Sequence, residues 1–286
     1  MNGQGIALKK NVQNVVRHAG LIAIGLFMVY PLIWLLLATF KTNPDLFGSV
    51  GLWPERFVWD SYSRGWHSTG QYTYATFFAN TFLLVLPTVL FTVVSSVAVG
   101  YGFARFNFPL KKLLFALMIS TLMLPQTVIL IPRYLIFRNL DWIDSYLPFI
   151  VPAIFGCFPF FIFMMVQFMR GLPRELDESA VMDGCSPPVI LFRILLPLCV
   201  PAIVSATLFQ FIWTWNDFFN QLVFINSVSK YPISLALRMA IDSTGGSMEW
   251  NQLLAMAILS IVPMVVVFFL AQRYFVEGIA TTGIKG

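Results

Sequence analysis

Long apolar stretches without charge dominate the pattern of this chain. Six stretches of at least 20 residues contain no Asp, Glu, Lys or Arg, and they cover 18–40, 68–104, 113–132, 145–169, 194–216 and 250–272. A helix that crosses a bilayer needs about 20 mostly apolar residues. No segment alternates polar and apolar residues with a period of two, as the strands of a membrane barrel do. The pattern therefore predicts an all-α membrane protein with six transmembrane helices.

The boundaries of these helices follow from the residues that flank each stretch. We place the spans at about 18–40, 77–103, 113–136, 145–169, 194–222 and 250–274, within a single membrane domain over 1–286. The fifth span is extended past Asp217 because apolar residues follow it. The first stretch follows basic residues, as a signal peptide does, but it is longer than a typical apolar signal core and lacks a small-residue cleavage site. We therefore predict that the first span is a retained helix.

The distribution of basic residues predicts the orientation in the membrane. An even number of spans places both termini on one side, and the segments on that side carry eleven Lys and Arg against seven on the other. The side that is richer in Lys and Arg includes one tight turn with three of them, Arg105, Lys111 and Lys112. Because cytoplasmic loops of membrane proteins are enriched in Lys and Arg, we predict that both termini are cytoplasmic.

Composition agrees with a multi-pass protein of the cell (inner or cytoplasmic) membrane. Of the 286 residues, 58% are hydrophobic and only 11% are charged, and the mean hydropathy is +0.78. A soluble domain is about a quarter charged. These values exclude an ordinary cytosolic enzyme and a disordered chain. The net charge of +5 is spread along the chain, and this excludes a DNA-binding domain.

No residue pattern predicts catalysis, a metal site or a cofactor. The three cysteines form no CxxC pair, and only two histidines are present to join them. Ser, His and Asp are not spaced as a catalytic triad. The nearest approach to a phosphate-binding loop runs from Gly278 to Gly283, and Ile284 stands where that loop needs lysine. We therefore predict that the chain is not an enzyme and that any ATP hydrolysis is performed by a separate chain.

The inner loop at 170–193 carries the most unusual chemistry. Four of the five acidic residues on the inner side fall within 171–184. Pro173 suits the first turn of a helix, the carboxylates suit its positive N-terminal end, and Gly184 suits its C-terminus. This composition predicts a short helix whose small residues Ser179 and Ala180 allow a partner to approach closely. The alternative is a solvated loop that only caps the helix bundle.

The spacing within and after this loop resembles a known family motif. The cytoplasmic coupling motif of ABC-importer permeases reads Glu-Ala-Ala, three residues, Gly, nine residues, Ile-x-Leu-Pro. The chain matches it at Glu178, Ala180, Gly184, Ile194, Leu196 and Pro197, and only Ser179 departs from it. The C-terminal residues 275–286 resemble the ending of the carbohydrate (maltose-type) branch of this binding-protein-dependent transport permease family. With the six spans, the resemblance extends over nearly the whole chain.

The resemblance implies a transport role and a set of partners. It implies contact with an ATPase through Glu178, Ser179, Ala180, Asp183 and Gly184, and through Gly283 and Lys285 of the tail. The implied partners are a second homologous permease chain, two ATP-binding subunits and an extracytoplasmic solute-binding protein, which would dock on the outer segments 41–76 and 224–249. The implied mechanism is alternating access for a sugar or oligosaccharide.

Polar and aromatic residues within the spans are candidates for the substrate pathway. They are Asn80, Gln126, Trp213, Asn216, Asp217 and Asn220. Amides and carboxylates in hydrocarbon face the bundle interior, where they suit sugar hydroxyls, and tryptophan faces suit sugar rings. The alternatives are hydrogen bonds between helices and, for Asp217, solvation at the membrane surface.

Two other functions are compatible with the pattern. An ion-coupled secondary transporter would work with this chain alone, and an ABC permease could carry a non-sugar solute such as a glycerol phosphate. The residues do not name the solute or show whether this chain contacts it directly.

Overall fold

The computed structural model describes residues 2–49, 51–67, 70–243 and 249–282, and the side chains of 13–49, 51–67, 70–242 and 249–273. Helices joined by turns and loops make up these ranges, and no strand occurs within them, so the all-α prediction is confirmed. The α-helices in chain order are α1 (Asn2–Ala38), α2 (Asn43–Gly48), α3 (Ser61–Trp66), α4 (Tyr74–Arg105), α5 (Lys111–Ser120), α6 (Gln126–Asn139), α7 (Leu147–Ile154), α8 (Pro159–Arg170), α9 (Glu175–Met182), α10 (Pro187–Ile190), α11 (Leu196–Leu198), α12 (Val200–Trp215), α13 (Phe218–Phe224), α14 (Ile233–Ser243) and α15 (Trp250–Thr282). A π-helical turn occupies Leu191–Leu195, and 3₁₀ helices occupy Thr121–Met123 and Val228–Lys230.

Four helical segments are long and apolar enough to cross a membrane. They are Gln13–Ala38, Tyr74–Arg105, Leu147–Arg170 and Trp250–Arg273, and each overlaps a predicted span. The remaining two predicted spans, 113–136 and 194–222, correspond to helix pairs bent by 105° and 77°. The described ranges thus hold four candidate spans, or six if each bent pair crosses as one unit.

Prolines account for both bends. Pro125 immediately precedes α6 and leaves Leu124 extended, with ψ of 124°, because a proline disfavours the helical conformation of the residue before it. Pro201 lies in the first turn of α12 and has no N–H to donate to the preceding turn. Further on, α12 ends at Trp215, short of the predicted boundary at 222, and α13 starts separately.

The chain divides into two compact units, and the division falls within α14 and α15. The first unit comprises Met1–Gln71 and Ala240–Leu259, and the second comprises Tyr72–Met239 and Ser260–Gly286. Within the first unit, Asn43 accepts a hydrogen bond from the Trp250 amide at 2.9 Å. The Asn251 amide group donates to the Ser61 hydroxyl at 3.1 Å. These bonds join the segment after α1 to the start of α15.

The core of the second unit is built around α4, which packs against α7, α8 and α12. A Cβ atom at Gly100 would lie 2.7 Å from the Cβ atom of Met165, so glycine is needed where α4 and α8 approach most closely. The Ser95 hydroxyl donates to the Ala153 carbonyl at 2.7 Å and joins α4 to α7. The buried side chains of α8 and of the turn at Leu191–Leu195 complete this core, onto which α9 packs.

Candidate functional site

The inner loop folds as its capping residues predict. Pro173 precedes α9, and the first turn of this helix carries Glu175, Asp177 and Glu178. Gly184 ends the segment with φ of +78°, a conformation that disfavours residues with a side chain. The helix terminus is closed by two bonds, from the Cys185 amide to the Ala180 carbonyl and from the Gly184 amide to Val181. This is the Schellman arrangement that glycine favours.

A buried ion pair holds α9 to the end of α4. The Arg105 Nε atom lies 3.0 Å from the Asp177 Oδ2 atom, and the two side chains are 6% and 19% exposed. These two buried atoms have no other partner among the described residues. The guanidinium nitrogens of Arg105 also donate to the Leu172 carbonyl at 3.3 and 3.4 Å. One arginine therefore fixes both the start and the first turn of the inner helix.

The five predicted ATPase-coupling residues fall on two faces of this segment. Ala180 is buried and belongs to the hydrophobic core with Tyr101 and Leu191, so it positions α9 on the bundle. Glu178, Ser179, Asp183 and Gly184 are exposed. The Ser179 hydroxyl donates to the carbonyl of the preceding turn. Val181 and Met182 add apolar side chains to this exposed surface, and the sequence analysis did not identify these two residues.

The chain continues from α9 into the membrane through a packed connection. Ser186 is extended with ψ of 155°, and α10 begins at Pro187. The Tyr101 hydroxyl of α4 donates to the Pro187 carbonyl at 3.1 Å. Leu195 and Cys199 in the following turns are fully buried. These contacts hold the connection between α9 and α12 against the core of the second unit.

Three of the six predicted pathway residues are exposed. Gln126, Trp213 and Asn216 are exposed. The Trp213 ring contacts Phe160 and Phe161, with centroid distances of 5.0 and 5.2 Å. The Trp213 side chain is 48% exposed. The Asn216 amide group donates to the Ile212 carbonyl at 2.9 Å.

Asp217, Asn220 and Asn80 are engaged in structural hydrogen bonds. Asp217 caps α13 by accepting from the Asn220 amide at 3.1 Å and from its side chain at 2.8 Å. The Asn80 side chain donates to the carbonyls of Ser229 and Tyr231 at 2.9 and 3.0 Å. It therefore fastens the start of α4 to the segment before α14.

Arg133 on α6 was not identified as a site residue by the sequence analysis. Its guanidinium lies over the rings of Phe137 and Phe224, 5.6 and 5.7 Å from their centroids. The carboxylate of Asp217 interacts electrostatically with it. The sequence feature that could have identified Arg133 is its charge within the predicted span 113–136, because ionisable groups within spans face the protein interior.

A second cluster missed by the sequence analysis surrounds Asp144, between α6 and α7. Its carboxylate accepts from the Asn226 amide at 2.9 Å and from the amide and hydroxyl of Ser227 at 2.7 and 2.6 Å. Lys230 forms an ion pair with it at 3.0 Å. Burial raises the pKa of Asp144, but the hydrogen bonds outweigh it and hold the pKa well below the ordinary value.

Tyr146 completes this cluster, which we call the Asp144 clamp (Asp144, Tyr146 and 226–230). Its hydroxyl donates to the Lys230 carbonyl at 3.0 Å. This bond joins the residue before α7 to the 3₁₀ helix at Val228–Lys230. The predicted tail residues Gly283 and Lys285 lie outside the described residues.

Comparison with known proteins places these features in a family. The family model described as "Binding-protein-dependent transport system inner membrane component" matches residues 96–281. The probable ABC transporter permease protein YurM of Bacillus subtilis (strain 168) is 31% identical over 91% of this chain and 84% of the relative. The arabinooligosaccharides transport system permease protein AraQ of the same organism is 30% identical over 92% of each chain.

A solved structure shares the fold. It is a chain of a bacterial ABC transporter involved in the import of the acidic polysaccharide alginate, with a TM-score of 0.81 and 21% identity. The match covers 93% of this chain and 98% of that chain. The family model covers more than half of this chain, including α9 and its anchor. The chain therefore belongs to the family of binding-protein-dependent transport system inner membrane components.

Proposed function

We propose that this chain is one of two permease chains of an ABC importer and forms half of the passage for a sugar or oligosaccharide. In this proposal, two separate ATP-binding subunits hydrolyse ATP, and an extracytoplasmic solute-binding protein delivers the substrate. Family membership and the transport roles in the names of the relatives support it. The observation that carries it is the geometry of α9, which is anchored on one face and exposed on the other.

The exposed face of α9 has the chemistry of a docking surface. Val181 and Met182 are 59% and 87% exposed, and the carboxylates of Glu178 and Asp183 lie beside them. Protein interfaces commonly combine an apolar centre with a polar rim. We propose that this face binds the ATPase, with Gly184 allowing a close approach at its end and the tail residues Gly283 and Lys285 adding a second contact.

The buried face of α9 explains how a movement of the ATPase reaches the membrane. The Arg105–Asp177 pair joins α9 to α4, and α4 packs closely on α8 at Gly100. Breaking a buried ion pair is strongly unfavourable, because one charge is left without a partner. A displaced α9 therefore carries the end of α4 with it. We propose that this rigid link transmits the ATP-dependent step of alternating access.

The exposed residues of the spans supply the proposed passage. Polar groups are unfavourable against lipid, so Gln126 and Asn216 are expected to face either the passage or the second permease chain. The exposed part of the Trp213 ring suits contact with a sugar ring. Asp217, Asn220 and Asn80 are engaged within the chain, and we propose that they shape the outer part of the passage.

Aromatic residues support docking of the solute-binding protein on segment 41–76. Phe47, Trp53 and Trp59 are exposed by 73%, 69% and 72%. Aromatic residues are enriched at protein interfaces. On the proposed topology, with both termini cytoplasmic, these residues lie on the extracytoplasmic side together with the Asp144 clamp, which fixes the start of segment 224–249.

Charge reversal on α9 tests the proposal. We expect Glu178→Lys to abolish copurification of the ATPase and ATP-driven uptake, because the proposed docking face loses a carboxylate and gains a cation. The matched control is Glu55→Lys, which makes the same change at an exposed residue far from α9 in sequence and should leave ATPase copurification unchanged. The measurements are mass spectrometry of copurified chains and uptake into vesicles.

Two results would contradict the proposal. Normal ATPase copurification and uptake in both Glu178→Lys and Gly184→Asp would remove the docking role of α9. Ion-driven uptake by vesicles that contain this chain alone would replace the importer with a secondary transporter. Screening the associated binding protein against saccharides and glycerol phosphates then identifies the substrate class.

A further inference from the structure

A basic cavity of about 510 Å³ opens beside α9 and the end of α4. Its lining includes five cationic side chains and one aromatic ring, from Arg105, Lys111, Lys112, Arg170, Arg174 and Phe115. All of these residues belong to the second compact unit. The ATPase-docking face and the substrate passage proposed above do not use this cavity.

The positive charge of the cavity is largely unbalanced. Arg105 is paired with Asp177, but the other four cations form no ion pair with any residue that the structure describes. Arg170 and Arg174 act on Lys111 as like charges. Like charges held together in this way repel one another and favour the binding of an anion.

The backbone amides at the start of α5 and the fixed positions of two cations also suit a phosphate group. No side chain caps the first turn of α5, so its N-terminal amides add to the positive field, as at other phosphate-binding helix termini. The Arg170 guanidinium lies 5.0 Å from the centroid of the Phe115 ring and is held beside the opening. The Lys111 ammonium donates to the Phe106 carbonyl at 2.6 Å.

The cavity lies where apolar candidate spans end. The span of α4 ends at Arg105, the bent pair of α5 and α6 begins at Lys111, and the span of α7 and α8 ends at Arg170. This places the cations at the depth of the lipid headgroups. Beyond them on α5, Leu113, Leu114 and Leu117 are exposed and provide apolar surface for lipid chains.

We propose that this cavity binds the phosphate of an anionic membrane phospholipid, whose acyl chains lie along the exposed leucines of α5. Basic pockets at the cytoplasmic ends of membrane helices recognise acidic headgroups through the same combination of charge and depth. Because Arg105 and Arg174 flank α9, an occupied cavity neutralises the charges beside this helix and steadies it. The proposal rests on the membrane location of the chain and does not depend on what the chain transports.

Lipid titration of the intact assembly tests the proposal. The assembly is purified in a neutral detergent with the chains that accompany it, stripped of lipid, and titrated under native mass spectrometry. The probes are short-chain phosphatidylglycerol, phosphatidylcholine of the same chain length, and inorganic phosphate. We expect phosphatidylglycerol to bind and the other two not to bind, because the site requires both a net negative headgroup and an acyl chain.

Two pairs of substitutions locate the binding. Lys112→Gln with Arg174→Gln should weaken phosphatidylglycerol binding about 25-fold, since each cation near a membrane surface contributes about fivefold. Both side chains are exposed, so folding should be preserved. The control is Arg56→Gln with Arg138→Gln, which removes the same charge from exposed residues outside the cavity and should bind as the unmodified protein does.

Several outcomes would overturn the proposal. Equal binding of inorganic phosphate would make this a site for a small anion, and equal binding of phosphatidylcholine would remove the role of charge. Unchanged phosphatidylglycerol binding in the cavity variant would place the lipid elsewhere. If that variant instead lost the ATPase, the cavity would be a protein contact. Lys112→Gln alone, with an expected loss of about fivefold, provides the same test should the double variant purify poorly.

Discussion

Asp177 and Asp144 each join two segments that are distant in the sequence, but their surroundings differ. Asp177 meets Arg105 at 3.0 Å, with side chains that are 19% and 6% exposed. Asp144 meets Lys230 at the same distance, with side chains that are 27% and 46% exposed. The first pair is largely desolvated, and water reaches the second. The same ion-pair chemistry therefore has different energetic consequences at the two sites.

Asp144 accepts more hydrogen bonds than Asp177 does, although its ion pair is the more exposed of the two. Asp144 accepts two backbone amides and one hydroxyl in addition to its lysine. The buried Oδ2 atom of Asp177 has only Arg105 as a partner within the described ranges. The Asp144 carboxylate is thus held by several bonds, whereas the Asp177 carboxylate contributes a single ion pair to the attachment of α9. Removing the carboxylate therefore breaks one largely desolvated ion pair at α9 but several solvent-accessible bonds at the clamp.

Loss of the buried pair should have the largest effect. Asp177→Ala leaves Arg105 buried without a counter-ion, and we expect it to lower the free energy of unfolding by about 3 kcal/mol or more. Thermal unfolding of the purified protein in detergent measures this loss. The control is Glu178→Ala on the same helix, which removes an exposed carboxylate and should change the free energy of unfolding by less than about 0.5 kcal/mol. Equal effects of the two substitutions would show that the Arg105–Asp177 pair contributes little.

Loss of the Asp144 carboxylate should have a smaller effect. Asp144→Ala removes the acceptor for the amides of Asn226 and Ser227, and we expect a loss of about 1–2 kcal/mol because water partly replaces it. Asp144 has φ of +57°, a conformation that asparagine tolerates better than alanine. Asp144→Asn should therefore unfold at a temperature between those of the unmodified protein and the alanine variant. A loss as large as that of alanine would show that charge, rather than hydrogen bonding, holds the clamp.

The sequence predicted the helices well where the signal was local. Charge-free length located α1, α4 and α15, because a spanning helix must be apolar along its whole length. The turn at Gly184 also followed from the local order of capping residues, and its φ of +78° agrees. The bends were missed because a count of charges does not register Pro125 or Pro201, which interrupt the backbone hydrogen bonds.

The candidate site was predicted less completely, because tertiary contacts decide which face of a helix is buried. Ser179 and Ala180 were expected to share a surface for a partner, but Ala180 packs into the core and Ser179 is exposed. α9 is too short and too polar for its sequence to define a buried face. The partners of Asp177 and Asp144 lie on distant segments, so no spacing rule could pair them.

Acid should produce the smallest effect of this series, and this effect comes from Asp144. Hydrogen bonds hold the pKa of Asp144 below its ordinary value despite burial, whereas an unfolded aspartate titrates at about 3.9. The unfolded chain therefore binds the proton first, and the stabilisation from Asp144 is complete above about pH 5 and is lost as the pH falls through the folded pKa. We expect the difference in unfolding temperature between the unmodified protein and Asp144→Asn to be constant from neutral pH to about pH 5 and to shrink below about pH 4. Because both proteins share every other titrating group, their difference isolates this carboxylate. A difference that grew on acidification would mean that the pKa of Asp144 is raised, and that burial outweighs the donors of the clamp.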